Sequence, residues 1–157
     1  MHRILPVAVL TLAACAHQKI AGTEIEDNTD TRAILDVMSK YRIAVEAKDV
    51  SGITALLDPS FKDDGGTSGA DDDLDYNSVP TRLSERFAKI DNVKLDLDIR
   101  KVKVENDIAS AVYHYNTNFT ILSLAAVSSP KAQKTDSDIK QMSFKRVAGE
   151  WKITSGI

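Results

Sequence analysis

From Asn92 the chain takes up a two-residue hydrophobic period and keeps it through Ile121. Val93, Leu95, Leu97 and Ile99 alternate with polar residues, the phase slips at Arg100-Lys101, and Val102 and Val104 continue on the shifted phase. Alternation places every second side chain on one face of a strand, and a one-residue slip inside a strand is what a β-bulge produces. Glu105-Asn106-Asp107 supplies a turn, after which Ala109, Ala111, Tyr113, Tyr115, Thr117, Phe119 and Ile121 line one face of a return strand. The two strands form a long, bent hairpin that must find a cover for its apolar face. A polar connection from Ser128-Ser129-Pro130 to Asp138 follows. A final hairpin then pairs Ile139–Val147 with Glu150–Ile157 around Ala148-Gly149.

The cover comes from upstream, where the period is helical. Asp30-Thr31 precedes Ile34, Leu35, Met38, Tyr41, Ile43 and Val45, most of them three or four apart, which predicts a capped helix over about 31–48. Asp49-Val50-Ser51-Gly52 breaks it. Ile53, Leu56 and Leu57 predict a short second helix stopped by Asp58-Pro59, and Asn77-Ser78-Val79-Pro80 opens a third through Leu83, Phe87 and Ile90, with Pro80 in the first turn. Three helices followed by long antiparallel strands make an α+β domain with the helices on one face of the sheet. No internal repeat is evident.

The N-terminus reads as an export signal. Met1-His2-Arg3 is a short positive end and Ile4–Ala14 an apolar run, well short of the ~20 residues a membrane-spanning helix needs. The run ends in Leu12-Ala13-Ala14-Cys15, which resembles the lipobox of bacterial lipoproteins. That resemblance implies cleavage of residues 1–14, diacylglycerol on the Cys15 thiol, and a membrane partner reached through that lipid. It also implies a cell-envelope location, with Ala16-His17 in place of an aspartate after the cysteine favouring the outer membrane, facing the periplasm. Residues 15–29, polar and small, read as a tether, and 30–157 as the domain. Cys15 is the only cysteine, so the domain is held by packing alone; the 143 residues left after cleavage suffice for a core. Losing Arg3 takes the formal charge from −3 to −4, which gives no electrostatic reason to expect nucleic acid.

Three segments carry a second resemblance: Tyr41–Leu57, Phe61-Lys62-Asp63-Asp64-Gly65, and Gly149-Glu150-Trp151-Lys152-Ile153. Together they are similar to the nuclear transport factor 2-like, or ketosteroid-isomerase-like, superfamily, over about residues 30–157. The resemblance implies three helices against a strongly curved antiparallel sheet, a cone-shaped α+β barrel that encloses a cavity. Members include isomerases, cyclases, dehydratases, transport factors and many secreted domains of unknown role, and they often dimerise through the sheet, so fold alone does not license an activity.

Two functions follow as expectations. The first is a non-catalytic envelope domain that binds a small apolar ligand or a protein partner. The second is an isomerase or dehydratase in which, by the resemblance, Tyr41 donates a hydrogen bond to a developing enolate and Asp64 moves the proton; the strand acid of the isomerase branch has no counterpart here. A tyrosine at helical spacing among Leu35, Met38 and Val45 also suits a core. Phe87, Tyr113, Tyr115, Phe119, Trp151 and His114 are the candidates for the cavity wall. His114 is the only histidine in the domain, which removes histidine-based metal clusters. Asp63, Asp64, Asp71, Asp72, Asp73 and Asp75 crowd an acidic, glycine-rich stretch in which Asp71, Asp73 and Asp75 could face calcium, without the ligand order of an EF-hand. No cofactor is expected, and no Gly-x-Ser-x-Gly elbow occurs.

Overall fold

A computed structural model describes residues 18–64, 73–122 and 132–157. Helix α1 (Thr29–Glu46) starts two residues earlier than its hydrophobic period suggests. Asn28 is the cap: its side chain accepts from Thr31 N, and the Thr31 hydroxyl accepts from Asn28 N. Ile34, Val37, Met38 and Ala44 are buried along one side, while Ile43 faces solvent. Helix α2 (Val50–Leu56) is capped by Asp49, whose carboxylate accepts from Gly52 N at 2.9 Å. After it come two short strands, β1 (Lys62–Asp63) and β2 (Leu74–Asp75), paired antiparallel and unannounced by any period because each has two residues. Helix α3 (Val79–Phe87) carries Pro80 in its first turn, where no intrahelical N–H is lost, and ends before Ile90.

The main sheet runs in the order β3 (Ile90–Glu105), β4 (Ile108–Ile121), β5 (Ala132–Val147), β6 (Glu150–Ser155), all antiparallel. The β3–β4 register shifts between Ile99 and Lys101, so the slip at Arg100 is a bulge, and a second irregularity lies between Ile90 and Val93. Bulges bend the strand and raise its twist, and the sheet curves around the helices. Asn106 turns the first hairpin with a φ of 55°, and Ala148-Gly149, both at positive φ, turn the last.

Other expected boundaries differ too, and β6 ends at Ser155 rather than Ile157. Strand β5 begins at Ala132, within the stretch read as a polar connection, and Ala132–Asp138 is exposed throughout. Its hydrogen bonding to β4, from Ile121↔Ala132 to Tyr115↔Asp138, makes it a strand without any apolar alternation. Residues 18–28, read as part of a tether, carry local order: Lys19 bridges to Glu26, Ile20 N donates to Ile25 O at 2.9 Å, and Ile25 is buried. Cys15 and the leader lie outside the described residues. Among the described residues no helix is long and apolar enough to cross a membrane.

The core joins α1 and α2 to the concave face of the sheet. Ile34, Met38, Ile53, Phe61, Met142, Phe144 and Ile153 are fully buried there, with Ala111 beneath them. The long edge strand β3 is held against α1 by Glu46, whose carboxylate accepts from Leu95 N at 3.1 Å. Lys48 Nζ adds bonds of 3.0 Å to the carbonyls of Ile90 and Asp91. These contacts leave the concave face filled at one end and hollow at the other.

Candidate functional site

The hollow end is a cavity of about 180 Å³ between α1 and the sheet. Tyr41 and Val45, one helical turn apart on α1, form its roof. Leu95 and Leu97 of β3, Tyr113, Tyr115 and Thr117 of β4, and Asp136 and Lys140 of β5 form its wall, and Ile157 completes the lining. Register explains the gathering. Leu97 pairs with Tyr115, Leu95 with Thr117, Thr117 with Asp136 and Tyr113 with Lys140, so all project from the same face.

The three tyrosines have different duties. The Tyr113 hydroxyl donates to Gly156 O at 2.8 Å. The Tyr115 hydroxyl donates to Asp136 Oδ2 at 3.0 Å, and Lys140 Nζ stands 5.7 Å from the centre of the Tyr115 ring. Tyr41 opens into the cavity and makes no side-chain hydrogen bond among the described residues. Burial pushes the hydroxyl pKa of Tyr41 and of Tyr113 well above the ordinary tyrosine value, with the Asp63 charge adding to the shift at both. Burial, then the hydrogen bond to Asp136, pushes Tyr115 up to about 12. All three are neutral donors near neutral pH.

Asp63, the carboxylate whose charge reaches Tyr41, is bound to the end of β6. Its Oδ2 accepts from Gly156 N at 2.8 Å and from Ile157 N at 2.9 Å. Asp64 is exposed and lines a depression outside the cavity, shared with Lys62, Asp63, Asp73, Asp75 and Ser78. Tyr41 and Asp64 therefore do not share a cavity.

The other candidates scatter. Tyr113 and Tyr115 are in the wall. Phe119 lies further along the same face, half-buried and outside the wall, and Phe87 packs against the core from α3. His114 projects to the opposite, convex face, beside Asp98 and Ile139. Trp151 is a core residue, 5% exposed, with the Arg146 guanidinium 4.4 Å from its ring centre. Asp71 lies outside the described residues. Asp75 accepts from Ser78 N at 2.7 Å, and no group of three or more His, Cys, Asp or Glu among the described residues is placed to hold a metal. Asp136, Lys140 and Ile157 were absent from the sequence candidates, because β5 shows no alternation there and Ile157 lies beyond the last alternating pair.

The architecture has solved counterparts. A candidate aromatic ring hydroxylase from Novosphingobium aromaticivorans superposes with a TM-score of 0.68 at 18% identity, over 81% of this chain and 85% of that one. A candidate dehydratase of the nuclear transport factor 2-like family from Streptomyces avermitilis gives 0.67 at 16%, over 83% and 95%. A nuclear transport factor 2-like protein of unknown function from Shewanella oneidensis gives 0.59 at 12%, over 82% and 97%. The fold is nuclear transport factor 2-like. No family model and no curated protein matches the sequence. At these identities the likeness extends to the nuclear transport factor 2-like cone of three helices on a curved four-stranded sheet, and the chemistry of the cavity has to be argued from its own side chains.

Proposed function

We propose that this domain binds a compact apolar molecule, of the size of one aromatic ring, without transforming it, and that it does so in the bacterial envelope, anchored by lipid on Cys15. The carrying observation is the cavity itself, about 180 Å³, whose wall is mostly tyrosine and aliphatic (Tyr41, Tyr113, Tyr115, Leu95, Leu97) with Asp136 and Lys140 at its open, polar side. An apolar cavity of ~150 Å³ takes benzene, whereas pockets for drug-sized ligands start near ~300 Å³, so a single ring suits it and a four-ring steroid does not. Aromatic walls favour offset or edge-to-face packing on such a ring, and the Tyr41 hydroxyl offers one donor.

Isomerase or dehydratase chemistry needs a proton acceptor within reach of the bound molecule. Asp64 is outside the cavity and Asp63 is bound by two backbone N–H groups; Asp136, the carboxylate in the wall, accepts one hydrogen bond from Tyr115 and lies on the solvent-exposed stretch of β5, not in a sheltered site. Binding is the reading these positions favour.

Titration calorimetry of the full-length chain with phenol tests it. One-to-one binding in roughly the micromolar-to-millimolar range, abolished by Leu97→Trp, supports the proposal. No saturable binding of any single-ring compound, or turnover of a substrate that Asp64→Asn abolishes, would defeat it. For the anchor, Cys15→Ala should move the protein from the membrane fraction to the soluble one; unchanged membrane association would remove the lipid from the account.

A further inference from the structure

Ile157 lines the cavity, and its backbone is unusually well tied for a residue that follows an edge strand. Two N–H groups in succession, Gly156 and Ile157, donate to one oxygen of Asp63 at 2.8 and 2.9 Å. On the other side of the same peptide units, Gly156 O accepts from Tyr113 at 2.8 Å, and Lys140 Nζ approaches Ile157 O at 3.5 Å. Gly156 has a φ of +87°, and a β-carbon there would stand 2.1 Å from Gln141 O, so the backbone fits only as glycine. Asp63 belongs to β1, Tyr113 to β4 and Lys140 to β5, so three elements hold one dipeptide.

Regular strand pairing does not require this arrangement. The β5–β6 register ends at Ser143↔Ser155; beyond it Gly156 still lies against Gln141 and Met142 of β5, and the N–H groups of Gly156 and Ile157 turn to Asp63. This arrangement seats Ile157 at the cavity, where it packs with the partly buried shell of the core. We infer that Ile157, held by the clamp of Asp63 and Tyr113, is the residue that sets the size of molecule the cavity accepts, restricting it to one ring. The inference rests on the proposed binding role and names its specificity determinant.

It separates from that proposal experimentally. The full-length chain and its Ile157→Ala, Ile157→Val and Ile157→Phe variants are titrated with phenol and with 2-naphthol, folding being verified by circular dichroism. Removing the branched end of Ile157 should extend the cavity, so Ile157→Ala binds 2-naphthol at least about tenfold more tightly than the parent does, in line with the discrimination a hydrophobic pocket makes per missing carbon group. Ile157→Val should lie between the two, and Ile157→Phe should weaken phenol itself. Asp63→Asn, which weakens the clamp without altering Ile157 itself, should let Ile157 shift and so blunt the preference for phenol over 2-naphthol. If the parent binds phenol and neither Ile157→Ala nor Ile157→Val alters the preference, the gate is wrong while the binding role stands. If no variant binds either ring, the binding role itself falls.

Discussion

The Tyr113 hydroxyl donates to the carbonyl of Gly156 across 2.8 Å, fastening the middle of β4 to the residue that follows β6. Tyr113 is 2% exposed and Gly156 is partly buried. Tyr113→Phe keeps the ring and leaves the carbonyl with one donor fewer. It should cost about 1–2 kcal/mol in chemical denaturation, the usual range when a buried group loses its partner.

Gly156→Ala should be costlier than its size suggests. The left-handed φ of +87° disfavours any β-carbon, and this one would also overlap the backbone of Gln141 and Met142. A loss of about 2 kcal/mol is expected, or roughly 4–8 °C in Tm for a chain of this length. Gly22 makes the control: it too has positive φ, yet no atom lies within 4 Å of the place its β-carbon would take, so Gly22→Ala should cost only the backbone part.

Alkaline unfolding should be steep. Tyr41, Tyr113 and Tyr115 have raised pKa values, so the folded state holds their protons more tightly than the unfolded chain does. The stability they contribute is complete below the ordinary tyrosine value of about 10 and is lost as pH rises through the folded values. Tyrosinate absorbance for these residues should therefore appear together with loss of the circular dichroism signal; full ionisation with the fold intact would contradict it.

Acid acts through Asp58. The Ser60 hydroxyl at 2.5 Å and then the Ser60 N–H at 2.8 Å hold its carboxyl below the usual value of 3.8. A depressed pKa contributes stability that is present above that ordinary value and is lost as pH falls through the folded one. Asp58 N also donates to Ile153 O at 2.9 Å, so the turn fixes α2 to β6. Asp58→Asn should reduce the dependence of urea stability on pH between about 5 and 2, and Asp58→Ala should cost about 1 kcal/mol at pH 7.

The parts of this molecule legible in the sequence are those in which a buried face imposes a period. The slip at Arg100 announces the bulge because Ile99 and Val102 both have to face the core, and Ala148-Gly149 announces its turn through the residue types that tolerate positive φ. Ala132–Asp138 stays hidden because a strand exposed along its length has no apolar residue to alternate, and with it go Asp136 and the approach to Lys140. Asp63 is the last residue of β1 and Asp64 lies just beyond it, and a two-residue strand has no pattern from which to read its phase or its end. Helical spacing puts Tyr41 on the face of α1 that packs, and strand alternation puts Tyr113 and Tyr115 on one face with Phe119; which face of β4, theirs or that of His114, is the inner one is decided by the helices rather than by the strand's own pattern.

The most direct test of the binding role is an amide chemical-shift map of the full-length chain titrated with phenol. The account predicts saturable shifts concentrated on Leu95, Leu97, Tyr113, Tyr115 and Ile157, with little change at His114 and Ile139 on the convex face. Shifts confined to the convex face, or none at saturating phenol, would contradict it.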